Sequence, residues 1–292
     1  MMLQEKIASG KFVLLGEFEP PKAADFSRLL ENANKVKGRM DALVIPEMSN
    51  AVLKAGSLGG CAFLREKGFE TILQVCCRDR NRLAIQADIL SAAALGIPNV
   101  MAVSGEDIRN GDHPQAREVY DVDLMQLLHI LDQFQGGRDM AGIELSGAPP
   151  RLCVGSAVNA GATGGALDIE IEKLTQMTAA GVQFVLTTPV FDLHRFQQFI
   201  KRVNLAQVAV IPTVLLLKSA GMARYMDRNI KNISIPAEMI RDIQKAPDKL
   251  KQCIQIAVDL IHHLKDMGMA GVMIATAGWE DKLPLVLDAA RL

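Results

Sequence analysis

The sequence predicts a single α/β domain over residues 1–292, a (β/α)8 or TIM barrel, and three observations favour that fold. Eight short apolar runs alternate with longer helical patterns along the 292 residues. Each run is apolar on both faces, as expected of parallel strands that helices cover. No Pro-, Gly- or Ser-rich linker divides the chain into two units.

The elements follow each other in the order that a barrel requires. The predicted strands are residues 11–18, 41–46, 70–77, 99–104, 151–158, 183–190, 208–217 and 271–277. The predicted helices are residues 81–96, 121–135, 167–180, 192–203, 236–268 (broken near Pro247) and 281–292. Asp123 and Asp192 stand where a helix N-terminus favours an acid, and Gly96 is typical of a helix C-cap. The loops 105–120 and 159–166 are the longer ones, and both follow strands, which places them at the catalytic end of a barrel.

The composition excludes several classes of protein. Net charge is −1 with no basic block, and aromatic residues make up 4%, so nucleic acid is not an expected partner. No apolar run approaches the ~18 residues that span a bilayer, and the N-terminus has no signal-peptide core, so we expect a cytoplasmic protein. Five cysteines without CxxC spacing predict buried, reduced thiols and no metal site within this chain.

Acidic residues follow the first strand at its carboxyl end. Glu17 and Glu19 come directly before Pro20 and Pro21, which must end the strand. The two acids have the same parity, so both point to one side of a regular strand. A barrel keeps its catalytic groups at these strand ends, although exposed acids before a proline turn are the alternative interpretation.

Charged residues also follow strands 3 and 4. The segment 74–82 (QVCCRDRNR) predicts a helix cap at Asp79 and arginines on the barrel rim. Strand 4 runs into Ser104, Gly105, Glu106 and Asp107, where the glycine permits close approach of backbone or ligand. The segment 161–166 (GATGGA) is either a phosphate-binding loop or a flexible one.

These motifs, in this order, resemble those of the methylenetetrahydrofolate reductase family. The resemblance rests on six segments spread over nearly the whole chain: GEFEPP, CRDRNRLAIQADILSAAALGIPNVMAVSGED, GDHPQAREVYDVD, VGSAVN, AAGVQFVLTTPVFD and ISIPAEM. The resemblance implies a flavin-bearing barrel, with FAD or FMN, that reduces 5,10-methylenetetrahydrofolate or a related methylene-pterin. The product is the 5-methyl form, and hydride comes from flavin N5. The acid of the family's first strand matches Glu17, which is therefore expected to be the proton donor, with Glu19 a structural or rim residue.

The resemblance also assigns binding residues. The cofactor-binding positions that it implies are Gln74, Cys76, Ser104, Gly105, Glu106, Tyr120, Ala157, Gly161, Glu170 and Met177. The substrate-binding positions that it implies are Glu106, Thr188, Met222 and Met226.

The chain departs from the family pattern at several of these positions. Gln74 stands in place of a frequent histidine. Glu106 stands in place of an aspartate, for which Asp107 is the alternative match. Met177 replaces a lysine that contacts flavin phosphate, which makes FMN an alternative to FAD. Thr188 replaces a glutamine that hydrogen-bonds the pterin, so a water or another partner is needed for ordinary recognition.

The electron donor and the partners are expected from the resemblance alone. NAD(P)H is one donor, and a partner subunit with iron–sulfur clusters is the other, so an oligomer or a larger complex is expected. Two alternatives remain open at this point. The first is a pterin-binding methyltransferase barrel without flavin, and the second is a repurposed paralogue that serves as a subunit of an electron-transfer complex.

Overall fold

The computed structural model describes residues 2–292, and its eight strands form a closed parallel barrel in the order β1 to β8. The strands are β1 (Val13–Glu17), β2 (Ala42–Ile45), β3 (Thr71–Cys76), β4 (Asn99–Val103), β5 (Cys153–Val158), β6 (Phe184–Pro189), β7 (Ala209–Leu215) and β8 (Gly271–Ala275). The helices are α1 (Leu3–Ala8), α2 (Ser27–Asn34), α3 (Ser57–Glu66), α4 (Arg82–Ala94), α5 (Leu124–Gln135), α6 (Gly165–Ala179), α7 (Leu193–Ile200), α8 (Ala220–Asn229), α9 (Ala237–Lys245), α10 (Lys249–Asp266) and α11 (Leu283–Ala290). The predicted (β/α)8 fold is therefore confirmed.

The eight predicted strands are all present, and each is shorter than its apolar run. The pairing between β1 and β8 closes the barrel, with Val13 opposite Gly271. The predicted break near Pro247 is confirmed, because α9 ends at Lys245 and α10 begins at Lys249. Four helices, α1, α2, α3 and α8, lie outside the predicted helical segments.

Helix caps explain where three of the helices begin. The Asp123 carboxylate accepts a hydrogen bond from the Gln126 N–H at 2.8 Å, and the Asp192 carboxylate accepts from the N–H groups of the first turn of α7. Both acids are confirmed as N-terminal residues. The prediction for Asp79 is wrong, because Asn81 caps α4 and the Asp79 carboxylate is bound to Arg78 instead.

The inside of the barrel is filled at its N-terminal end. Leu3 of α1, only 1% exposed, packs with Val13, Leu15 and Phe184 and closes that end. The Phe184 ring lies so close to β5 that a Cβ on Gly155 would come within 2.2 Å of it. Open space inside the barrel is therefore confined to the C-terminal ends of the strands.

The remaining bulk predictions concern thiols and membranes. All five cysteines are buried and unpaired, as predicted for reduced thiols. In the described part of the chain, residues 2–292, no helix is both long and apolar enough to cross a bilayer.

Candidate active site

Two contiguous hollows open at the C-terminal mouth of the barrel. The first, here called the Glu17 lobe, has a volume of about 320 Å³, and its lining includes Glu17, Asn159, Glu170 and Thr188. The second, the Ser104 lobe, has a volume of about 290 Å³, and its lining includes Glu47, Ser104, Gly105 and Glu106. The lobes share Gln74, Met101, Ala157 and Lys173, so they form one continuous site.

Glu17 is the last residue of β1 and faces the floor of its lobe. Burial raises its pKa from 4.5 to about 7, and the nearby carboxylates of Glu19, Glu280 and Glu106 add to the rise. The Lys54 ammonium opposes them and forms an ion pair with Glu19. A carboxyl with this pKa is protonated in a large fraction of molecules near neutral pH and can act as a general acid.

The raised pKa predicts a pH-dependent cost to stability. The folded state holds its proton to a higher pH than the unfolded state, so stability falls as pH rises from about 4.5 through about 7. We expect Glu17→Gln to stabilise the protein at about pH 8 and to have little effect near about pH 4.5. The full pKa shift corresponds to about 3 kcal/mol of unfolding free energy. Because the half-buried carboxyl faces an open cavity, we expect the variant to be more stable than the wild type by about 1 kcal/mol at the higher pH. Urea unfolding at the two pH values measures this, and equal stability of the two proteins at both would contradict it.

A buried acid on the β2–α3 connection supports the Ser104 lobe. Glu47 is only 4% exposed. Its carboxylate accepts a hydrogen bond from the Ser57 N–H at 2.8 Å and forms an ion pair with Arg80 at 3.0 Å. Burial raises the pKa of Glu47, while Arg80 opposes the rise. Glu47 was not predicted from the sequence. It comes just after β2, as Glu17 comes at the end of β1, so its position at a strand end could have identified it.

The turn after β4 packs against residues at the end of β3 and just after it. Gly105 has φ +93°, and a Cβ there would lie 2.5 Å from the Cys76 sulfur. Arg78 lies beneath the same turn, only 1% exposed, and donates a hydrogen bond to the Glu106 carbonyl at 3.0 Å. The predicted rim position is therefore wrong for Arg78, because Asp79 and this carbonyl satisfy its guanidinium inside the protein.

Helix α6 brings a second missed residue to the site. Lys173 lines both lobes, whereas Met177, one turn later, is completely buried in the core. Residues four apart share a helix face, and the N-terminal part of α6 lies nearer the barrel mouth because it follows the end of β5. The chain thus has a lysine at the mouth although position 177 lacks one. Lys173 precedes Met177 by four residues and therefore shares its helix face, and this spacing could have identified Lys173 from the sequence.

Two side chains beside Lys173 order the β5 exit. The Glu170 carboxylate accepts a hydrogen bond from the Asn159 N–H at 3.0 Å. The Thr188 hydroxyl lies 3.4 Å from the Asn159 side-chain oxygen, across the lobe from β1. These contacts link the ends of β5 and β6 around the Glu17 lobe.

The structure gathers some of the predicted residues and separates others. Those that line the two lobes are Glu17, Gln74, Ser104, Gly105, Glu106, Ala157, Glu170 and Thr188. Those that line neither lobe are Cys76, Tyr120, Gly161, Met177, Met222 and Met226.

Packing explains why most of the residues in this second group line neither lobe. Cys76 is buried beneath Gly105, and Met222 and Met226 of α8 pack against the hydrophobic core. Gly161 approaches the backbone of another loop, since a Cβ there would lie 1.8 Å from the Asn232 carbonyl. Tyr120 is 42% exposed beside the mouth.

Known proteins are similar to this chain in sequence. A family model described as methylenetetrahydrofolate reductase matches residues 2–291. The curated protein methylenetetrahydrofolate reductase 2 of Schizosaccharomyces pombe is 23% identical over 321 residues, covering 99% of this chain. The match covers 47% of that protein, so this chain spans about half the length of its curated relative.

A solved structure has a fold similar to that of this chain. It is an uncharacterized protein from Clostridium thermocellum that binds two copies of 5-methyl-5,6,7,8-tetrahydrofolic acid, and it superposes with a TM-score of 0.69 at 14% identity over 99% of each chain. Because the family model spans nearly the whole sequence, this chain belongs to the methylenetetrahydrofolate reductase family.

Proposed function

We propose that this protein reduces the methylene bridge of 5,10-methylenetetrahydrofolate, or of a related methylene-pterin, to a 5-methyl group. The observation that carries the proposal is the carboxyl of Glu17, whose pKa is raised to about 7 at the floor of the barrel mouth. Membership of the family and the folate ligand of the Clostridium thermocellum protein support the choice of substrate.

The chemistry explains why an acid is needed at this position. The bridging carbon is a poor hydride acceptor while its five-membered ring is closed. A proton delivered to N10 allows the ring to open to a 5-iminium cation, which accepts hydride at carbon. Glu17 is assigned this proton transfer, because a carboxyl with an ordinary pKa of 4.5 would have lost its proton at neutral pH.

The residues at the mouth fit a flavin by their chemistry. Lys173 offers a cation for a phosphate, Gln74 an amide for the edge of a flat ring, and Met101 and Ala157 apolar contact for its face. When bound, FAD or FMN would supply the hydride. The flavin would be reduced either by hydride from NAD(P)H or by two single electrons from an iron–sulfur partner subunit, with protons from water. The roles assigned above to Ser104, Gly105, Glu106, Glu170 and Thr188 belong to the same proposal.

Purification tests the proposal directly. The protein, isolated without oxygen so that partners stay attached, is expected to carry a flavin that absorbs near about 450 nm when oxidised. Its reduced form is expected to be reoxidised by 5,10-methylenetetrahydrofolate. A colourless protein that binds no added flavin but does bind folate would instead favour the methyltransferase alternative. A flavoprotein that is inert towards folate would favour the electron-transfer subunit.

The electrostatics around Glu17 predict a shifted pH profile. Lys54→Met removes the positive charge that lowers the pKa of Glu17 and leaves Glu19 unpaired, so both changes raise that pKa above about 7. Because the protonated form is the active one, the fall in reoxidation rate with rising pH is expected to move to higher pH, by about half a unit or more. Stopped-flow rates across pH measure this, and Lys22→Met, whose ammonium pairs with Asp112 instead, is the control. A shift to lower pH would refute the assignment.

A further inference from the structure

Gln74 lies where the two lobes meet, and its side chain has a single orientation. Its Oε1 accepts a hydrogen bond from the backbone N–H of Glu47 at 2.9 Å. A backbone N–H can only donate, so the atom that faces it must be the amide oxygen and not the amide nitrogen. The Nε2 group of Gln74 is therefore on the opposite side of the amide.

The Gln74 Nε2 group has no acceptor within the described part of the chain. Among the hydrogen bonds of residues 2–292, none has Gln74 Nε2 as its donor, while both lobes border this side chain. Two N–H bonds are thus available at the boundary between the lobes. Because Gln74 borders both open lobes, a ligand that supplies an acceptor there replaces water and gains a hydrogen bond of fixed direction.

Neighbouring residues keep the amide in place. The backbone N–H of Gln74 donates to the Ser57 hydroxyl at 3.0 Å, and that hydroxyl donates to the Ile45 carbonyl at 2.6 Å. The Glu47 carboxylate, which accepts from the Ser57 N–H and pairs with Arg80, fixes the N–H that orients Gln74. Rotation of the amide would break the bond to Glu47 and place two donors against each other.

We propose that Gln74 is a specificity-determining donor, which requires a hydrogen-bond acceptor on the flat heterocycle bound between the two lobes. The inference rests on the proposed function, since it concerns ligands of the same site. The acceptor is a ring nitrogen with a free lone pair or a ring carbonyl oxygen, both of which flavins and pterins carry. A ring that presents an N–H at this point is disfavoured, because two donors would face each other.

Gln74→Glu tests the inference with almost no change of shape. One carboxylate oxygen still accepts from the Glu47 N–H, while the other replaces the amino group and opposes a ligand acceptor. The probes are FMN, FAD and 5-methyltetrahydrofolate, with dissociation constants measured by fluorescence quenching and calorimetry. For at least one of them we expect binding about tenfold or more weaker than in the wild type at about pH 8.

Acid restores the donor in this variant. When the new carboxyl takes up a proton it gains an O–H, so the ratio of variant to wild-type dissociation constants is expected to fall towards one as the pH is lowered to about 4, below the usual pKa of a glutamic acid. Gln74→Met, which lacks both donor and charge, is expected to bind about threefold to tenfold more weakly at both pH values. Gln197→Glu, on the exposed face of α7, is the charge-matched control and should bind like the wild type throughout.

The outcomes separate this inference from the proposed function. A wild type that binds none of the three probes refutes both. A wild type that binds, with a Gln74→Glu variant that binds equally well or is weakened by the same factor at both pH values, refutes the role of Gln74 alone. Weaker binding that recovers in acid supports it.

Discussion

Glu17→Gln is expected to lower the rate at which methylenetetrahydrofolate reoxidises the reduced flavin by about 10² to 10⁴. Glutamine keeps the size and hydrogen-bonding capacity of the side chain but has no proton to give at neutral pH. The wild-type carboxyl has one, because burial and the acids Glu19 and Glu280 raise its pKa to about 7. The loss is therefore expected in the proton-dependent step and not in the affinity for flavin.

Stopped-flow measurement of the folate-dependent reoxidation, under anaerobic conditions, gives this rate directly. Flavin content and the dissociation constant for 5-methyltetrahydrofolate should stay within about threefold of the wild-type values. Glu172→Gln is the matched control, since Glu172 is an exposed carboxylate of α6 that lines neither lobe. A Glu17→Gln variant that retains the wild-type rate would show that another group delivers the proton.

Arg78→Met is expected to destabilise the fold by about 3 to 5 kcal/mol. The guanidinium is almost fully buried and donates to the two Asp79 oxygens at 2.6 and 2.8 Å and to the Glu106 carbonyl at 3.0 Å. Methionine restores some of the lost packing but none of these hydrogen bonds. The largely buried Asp79 carboxylate and the carbonyl of the β4 exit would then lack their partner.

Arg82→Met is the matched control, because Arg82 also pairs with an aspartate, Asp121, through several hydrogen bonds. That pair is exposed to solvent, so its removal is expected to change stability little. Urea unfolding of the two variants and the wild type gives the difference. Equal, small effects of both substitutions would contradict a structural role for Arg78.

The barrel itself is readable from local patterns. Eight apolar runs separated by helical segments leave few folds to choose from, and Pro247 must interrupt any helix that reaches it. Caps were less reliable, since Asp79 and Asn81 both suit the start of α4 and only packing decides between them. Arg78 engages Asp79, and Asn81 is left to accept the helix N–H.

The composition of the site was only partly readable. Glu17 was singled out because it ends β1, where a barrel places its chemistry, and Gln74 was assigned by resemblance; both line the lobes. Lys173 and Glu47 were missed, because their place at the mouth depends on how α6 and the β2–α3 connection pack. Met222, Met226 and Gly161 were assigned to the site by resemblance, and they line neither lobe.

The amino-acid sequence by itself determined the order of the elements, the apolar faces of the strands and the placing of an acid at the end of the first one. These are local properties, set by side-chain polarity, periodicity and the geometry of proline and glycine. Only the tertiary structure decided that Glu280 and Lys54 lie near Glu17, and that the Glu47 N–H fixes the amide of Gln74. Those contacts join residues far apart in the chain, and proton affinity and hydrogen-bond direction depend on distance and burial, which exist only once the barrel has closed.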